Sequence, residues 1–281
     1  MTSYLTGLIG SGIGPSLSPP LHEREAAHHG LSYVYRLLDT DVLGQDVGEL
    51  VRTARRFGYD GLNITHPCKQ AVIPHLDELS EDARMLGAVN TVVFDGERAI
   101  GHNTDWTGFA ESFARGLPDA PTRQVVQLGA GGAGAAVAHA LLTMGADTLT
   151  VVDADPARAT ALAAELETRF GTGRARPAVQ ADLPELLAGA DGLAHATPTG
   201  MARHPGLPLP ASLLRPGLWV ADIVYRPLET ELLRQARALG CRTLDGGGMV
   251  VFQAAHAFRL FTGRVPDTER MLTHLTALVA A

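Results

Sequence analysis

The chain holds only two cysteines, Cys68 and Cys241, in 281 residues. That scarcity excludes a disulfide framework of the kind that staples small secreted domains, and it suits a reduced compartment. No apolar run reaches the roughly 18 residues of a membrane helix. The start, MTSYLTGLIGSGIG, lacks the basic region and long apolar stretch of a secretory signal. Runs of Lys and Arg are missing too, and the net charge is −7, which argues against a nucleic-acid partner. There is no low-complexity tract and no internal repeat to suggest a solenoid. These absences leave a cytoplasmic globular protein, with neither nucleic acid nor membrane as a partner. Hydrophobic residues make up 46% of the chain and charged ones 19%, as in ordinary globular proteins. The length exceeds one common domain, so two are expected.

What is present is an alternation of strand and helix. YLTGLIG (4–10) reads as a strand, PLHEREAAHHG (20–30) as a helix, YVYRLLD (33–39) as a strand and DVGELVRTARRFG (46–58) as a helix stopped by Gly58. GLNITH follows as a strand and KQAVIPHLDELS (69–80) as a helix; AVNTVVFD and RAIGHN then read as a strand pair. Such repetition predicts an α/β fold with a parallel-type sheet. A helix is expected over 104–117, with Thr104 as its cap. After the loop PDAPTR the alternation begins afresh, with further strands at ARPAVQ, GLAHAT and LWVADIVY. The last stretch reads as two helices with no strand between them. The domain boundaries fall near 105–122 and near 246, and the final helices are expected to return to the first domain.

Gly129, Gly131 and Gly134 form a GxGxxG pattern inside LGAGGAGAAV. The pattern is weak alone, but here it follows a strand, opens a helix of small residues and leads to a second apolar strand. Gly129 allows a tight turn, Gly131 a close backbone approach to a pyrophosphate, and Gly134 close packing of helix on strand. The whole turn, with Ala130, Gly132 and Ala133, would face the nucleotide at the helix N-terminus. The next strand ends at Asp153, whose carboxylate suits the ribose hydroxyls of NAD and repels the 2′-phosphate of NADP. Arg158 nearby could still receive that phosphate. The expected cofactor is NAD, with NADP as the alternative. Asp153 and Asp155 could equally serve only to cap the next helix.

Within GLNITHPCKQ, Asn63, Thr65 and Lys69 cluster at the carboxyl end of an apolar strand, which Pro67 stops. GIGPSLSP supplies Ser16 and Ser18, GAVNT supplies Asn90, and GHNTDWTGF supplies Asp105 at a helix start. This inventory of hydroxyls, amides, one cation and one carboxylate suits a small polyhydroxy acid. A Lys–Asp pair beside a reacting alcohol can move a proton while a hydride leaves the same carbon. Taken singly, each residue has an ordinary role as turn former, helix-start charge or solvated lysine. Together they lie at strand ends and helix starts, where parallel sheets bind ligands. His66, Cys68 and His102 find no partners at metal-ligand spacing, so no metal is expected. HAFRLF reads as a buried helical face with Arg259 emerging.

The motifs SLSP, NITHPCK, GAVNT, GHNTD, GAGGAG, ATPTGM, DIVYRPLETELL and LDGGGMVVFQAAHAF run along nearly the whole chain. In that order they resemble the shikimate dehydrogenase family, and most of all its NAD-using quinate/shikimate branch. The resemblance implies reversible oxidation of shikimate to 3-dehydroshikimate, with Lys69 and Asp105 as the proton-transfer pair. It implies that Ser16 and Ser18 hold the substrate carboxylate. Asn63, Thr65, Asn90, Tyr225 and Gln253 would meet ring hydroxyls, the carboxylate or the lysine. Thr197, Ile223, Gly246 and Met249 would border the cofactor. The expected organisation is a substrate domain of residues 1–105 plus 247–281 and a Rossmann domain of residues 106–246, in a monomer or homodimer. NADP-using members carry Asn-Arg-Thr where this chain has Asp153-Ala154-Asp155. Quinate-accepting members often carry Thr where this chain has Ser18. Alternatives are a quinate-preferring, amino-shikimate or methylene-tetrahydrofolate dehydrogenase, or a nucleotide sensor without catalysis.

Overall fold

The computed structural model describes residues 2–280. It divides into two compact units, Met1–Thr104 with Val251–Ala281, and Asp105–Val250.

The first unit runs through β1 (Ser3–Gly10), α1 (Ser18–His28), β2 (Ser32–Asp39), α2 (Thr40–Leu43), α3 (Val47–Arg56), β3 (Gly61–Ile64), α4 (Cys68–Ala71), β4 (Glu78–Leu79), α5 (Glu81–Leu86), β5 (Thr91–Asp95) and β6 (Arg98–His102). Helix α3 shows why these segments fold locally. Val47, Leu50, Val51 and Ala54 repeat at helical spacing and are buried, and the Asp46 side chain accepts the Glu49 N–H at 2.8 Å to cap the start. Gly58, with φ 74°, ends that segment in a conformation other residues resist.

The helix expected over 69–80 does not form. Residues Cys68–Ala71 make one short helix, Ile73–His75 a 3₁₀ turn, and Glu78–Leu79 a strand paired with β6. Pro74 explains the break: it has no N–H for the helical ladder, and its ring disfavours helical backbone at Ile73.

The first sheet has the strand order β2-β1-β3-β5-β6-β4. Its β2-β1-β3 portion is parallel, whereas β5 runs antiparallel to both β3 and β6. The sheet is therefore mixed, because β5 and β6 form a hairpin around Gly96 (φ 61°) and Glu97.

The second unit comprises α6 (Asp105–Gly116), β7 (Gln124–Leu128), α7 (Gly132–Thr143), β8 (Thr148–Val152), α8 (Pro156–Phe170), β9 (Ala175–Ala178), α9 (Leu183–Gly189), β10 (Gly192–His195), β11 (Trp219–Asp222), α10 (Glu231–Ala238) and β12 (Arg242–Leu244). Its sheet is parallel in every pairing, in the order β12-β11-β10-β7-β8-β9. Apolar cores lie on both faces. One gathers Phe109, Phe113, Leu141, Leu149 and Trp219; the other gathers Leu128, Leu187, Leu193, Leu218 and Leu233. A parallel sheet covered on both faces has strands that read as continuous apolar runs. Strand order reverses between β7 and β10, which in a doubly wound sheet marks the ligand-binding crevice.

The chain closes with α11 (Gly247–Thr262) and α12 (Thr268–Ala280). The unit boundary falls within α11, so α12 packs with the first unit. There Glu25 of α1 takes the Arg270 guanidinium of α12 and the Asp267 N–H. Burial pushes the Glu25 carboxyl up, but these donors and His29 outweigh it and hold it below its ordinary value. Among the described residues, no helix is long and apolar enough to cross a membrane.

Candidate functional site

In the first unit Asn63, Asn90 and the Gln253 carbonyl, three of the positions singled out from sequence, are joined by a directed chain of hydrogen bonds. Tyr35 donates to Asn63 Oδ1 at 2.9 Å, and Asn63 Nδ2 donates to Thr91 Oγ1 at 3.1 Å and to the Asn90 carbonyl at 3.3 Å. Thr91 Oγ1 donates to Asn90 Oδ1 at 3.0 Å. Asn90 Nδ2 donates to Thr104 Oγ1 at 2.9 Å, and Thr104 passes its proton to the Gln253 carbonyl at 3.1 Å. Asn63, Asn90, Thr91 and Thr104 are all buried. Both Asn63 amide hydrogens are thus spent inside the protein, and its free capacity toward a ligand is a carbonyl lone pair. Burial raises the Tyr35 phenol well above its ordinary range, so Tyr35 keeps its proton and serves as a donor.

The serine loop is held from β2. Asp39 accepts the N–H groups of Gly12 at 3.2 Å and Ile13 at 2.9 Å, and Asp41 accepts the Ser11 hydroxyl at 2.5 Å. Ser16 Oγ accepts the Ser18 N–H at 3.2 Å, which leaves the Ser16 hydroxyl hydrogen for a ligand. Thr65 continues from β3, its N–H bonded to the Ile9 carbonyl at 2.9 Å. Lys69 sits half-buried on α4, its carbonyl accepting the Val89 N–H at 2.9 Å. It is the only lysine of the chain. Every other side-chain cation that stays charged at neutral pH is an arginine, so a titratable amine occurs at this one side chain. His66 is exposed and Cys68 buried beside it, and burial pushes the Cys68 thiol up, away from reactivity.

The second unit carries Asp105, buried at the first position of α6. Its glycine turn fits a dinucleotide. Gly129 has φ 102°, and a side chain there would strike the Ala196 carbonyl. A Cβ on Gly134 would run into the Gly129 carbonyl, so α7 lies close against the turn. A Cβ on Gly131, in contrast, meets nothing within 4 Å. Gly131 also opens α7 without a capping side chain, and the helix's first N–H groups face that open side with Gly132 and Ala133. Buried Gln127 pins the turn, its Nε2 donating to the Gly129 and Gly134 carbonyls at 2.8 Å each. Asp153 accepts the Ala130 N–H at 2.7 Å and the Asp155 N–H at 2.9 Å. The cap of α8 is Asp155, which accepts the Ala157 N–H; exposed Arg158 pairs with that same Asp155 at 3.6 Å.

Around the strand ends, Thr197 follows β10, and Ile223 and Tyr225 follow β11. Burial raises the Tyr225 phenol despite Arg226 beside it. A Cβ on Gly246 would strike the Ile223 carbonyl, so this glycine permits a tight approach. Met249 is buried against the Phe109 core.

Sequence reading missed Tyr35, Thr91, Asp39 and Asp41. Tyr35 lies on the alternation of β2, and Asp39 and Asp41 close that strand with paired carboxylates, a signal that was available. It also missed His195 and Asp222, a pair that only the sheet register brings together.

A parallel sheet with a glycine turn at its switch point and a carboxylate ending the next strand defines a dinucleotide-binding α/β protein. Comparison with known proteins narrows the class. Residues 8–92 match the shikimate dehydrogenase substrate binding domain, and residues 246–276 match the shikimate 5′-dehydrogenase C-terminal domain. The chain is 71% identical to a shikimate dehydrogenase (NADP(+)) of Streptomyces avermitilis, covering 98% of this chain and 96% of that one. It is 53% identical to a quinate/shikimate dehydrogenase (NAD(+)) of Corynebacterium efficiens, over 96% of each. Its fold is similar to that of quinate dehydrogenase from Corynebacterium glutamicum in complex with NAD, with a TM-score of 0.95, 48% identity, and coverage of 99% and 100%. The chain belongs to the shikimate dehydrogenase family.

Proposed function

We propose that this protein reversibly oxidises shikimate to 3-dehydroshikimate with a nicotinamide dinucleotide, NAD by preference. The cofactor, when bound, accepts the hydride from the alcohol carbon. Lys69 takes the alcohol proton in oxidation and returns it in reduction, with Asp105 as its carboxylate partner. Ser16 and Ser18 hold the substrate carboxylate. Asn63, Thr65, Asn90, Tyr225 and Gln253 fix the ring hydroxyls, so that a single carbon faces the cofactor. Residues Gly129–Gly134 receive the pyrophosphate, Asp153 the adenine ribose, and Thr197, Ile223, Gly246 and Met249 border the nicotinamide. In this reading the first unit takes the substrate and the second the cofactor, in a cytoplasmic monomer or homodimer with neither membrane nor nucleic acid as a partner.

The observation that carries the reading is one chain holding both a dinucleotide turn and a buried hydroxyl-and-amide relay beside its sole lysine. The relatives are named for both cofactors, so the preference rests on Asp153. The test is a steady-state assay of the purified protein with shikimate and quinate, each with NAD and NADP, followed by nicotinamide absorbance. Turnover of shikimate with NAD above the other three combinations is expected. No turnover of either acid with either cofactor would sink the reading.

A further inference from the structure

Behind Thr197 lies a polar chain that the reaction itself does not require. His195, wholly buried at the end of β10, places Nδ1 2.9 Å from Asp222 Oδ1 and Nε2 2.5 Å from Thr197 Oγ1. Asp222, buried at the end of β11, also accepts the Val224 N–H at 3.0 Å and the Thr230 hydroxyl at 2.7 Å. Thr197 Oγ1 accepts the Thr199 N–H at 3.3 Å.

The directions of these bonds can be worked out. A carboxylate only accepts, so the hydrogen between His195 and Asp222 sits on Nδ1. With its one ring hydrogen on Nδ1, the imidazole presents Nε2 as an acceptor. The Thr197 hydroxyl must therefore donate inward to Nε2. A threonine oxygen has one hydrogen and two lone pairs. The hydrogen is used by His195 and one lone pair by Thr199, and the position left is a lone pair.

We propose that His195 and Asp222 are positioning residues that make Thr197 a dedicated hydrogen-bond acceptor for a donor group on the nicotinamide nucleoside. Phosphate oxygens, which only accept, cannot use this position. Two donors can: a ribose hydroxyl and the carboxamide NH₂. The nicotinamide half is indicated by the sheet. Asp153 follows β8 on one side of β7, while Thr197 follows β10 on the other, across the switch point. Thr197 also stands against the glycine turn, where a Cβ on Gly129 would come within 3.1 Å of its methyl group.

The inference rests on the cofactor site proposed above, and its test separates the two. Dissociation constants are measured for NAD, for 3-acetylpyridine adenine dinucleotide, which lacks the NH₂, and for NAD analogues lacking either nicotinamide-ribose hydroxyl. In the wild type one analogue should bind roughly three- to tenfold more weakly than NAD, the effect of one neutral hydrogen bond; which analogue does so identifies the donor. Thr197→Ser should keep that ratio. Thr197→Val should bring it close to one, and His195→Leu should shrink it by freeing the hydroxyl hydrogen. A purely structural role would weaken all four dinucleotides alike and leave the ratios untouched, which would overturn the proposal. Equal binding of all four by the wild type would overturn it without any variant. Failure of the wild type to bind any of them would instead sink the cofactor site itself.

Discussion

Asp153 Oδ2 accepts the backbone N–H of Ala130 at 2.7 Å. The residue that follows β8 thus also holds the glycine turn, and one carboxylate shapes the site while charging it. Its second oxygen is bonded to the Asp155 N–H, and lone pairs on both oxygens remain for ribose hydroxyls.

Replacing that carboxylate should shift cofactor choice. Two like charges about 4 Å apart cost roughly 4 kcal/mol at a surface-like dielectric, and salt and side-chain rotation reduce it. Asp153→Asn keeps an acceptor for Ala130 but removes the charge. It should lose some NAD efficiency and gain some NADP efficiency, and adding Ala154→Arg should increase the gain through a bidentate phosphate partner. The measurement is kcat/KM for both cofactors. An unchanged ratio would reduce Asp153 to a turn anchor.

Lys69→Ala should lower kcat by roughly 10²–10⁴-fold, the usual contribution of a general acid–base. Cofactor affinity should hold, because the glycine turn lies in the other unit. A loss below about tenfold would make Lys69 a positioning residue at most.

Ser16→Ala and Ser18→Ala should raise the KM for shikimate more than they lower kcat. Each removes a bond to a charged carboxylate, a contribution of roughly 1.5–3 kcal/mol. Asp39→Ala should act in the same direction without touching substrate, because Asp39 holds Gly12 and Ile13 of the serine loop. An unaltered KM in both serine variants would place the carboxylate elsewhere.

How far the sequence could be read follows from these residues. Strands, glycine turn and strand-end polar residues were legible because each is encoded within a few positions. The break at Pro74 was equally local, and apolar periodicity simply outweighed it. The relay from Tyr35 to Gln253 was not legible, because it joins β2, β3, β5 and α11 across the sheet and no spacing along the chain announces it. His195 and Asp222 were hidden for the same reason: β10 and β11 set them side by side only once paired. Individual residues could be named, but the bonds that orient them could not.

The first unit should lose stability with falling pH. His22 is buried among Tyr33, Tyr35, Phe258 and Phe261, and burial lowers its pKa from 6.5 to about 3. The unfolded chain therefore takes up a proton that the folded one refuses. His22 costs nothing above pH 6.5, and the cost grows as pH falls toward about 3, by up to about 1.4 kcal/mol per pH unit. Burial lowers His102 and His274 as well, so they add to the slope. Denaturant melts across that window should be less steep for His22→Gln than for the wild type. Parallel slopes would show that the ring is protonated in place.

That the chain carries a single lysine, half-buried on α4, has a practical chemical consequence. Reagents that acylate or alkylate amines have one side-chain address here, plus the α-amino group. An acyl tag on a tryptic or chymotryptic peptide containing Lys69 becomes a direct readout of whether that amine is covered, and a bound acid that shields it should slow the tagging. Amine-reactive cross-linkers, in turn, cannot weave this protein into a network through its surface, and tethering it to a resin by its lysine would occlude the one amine on which turnover is proposed to depend.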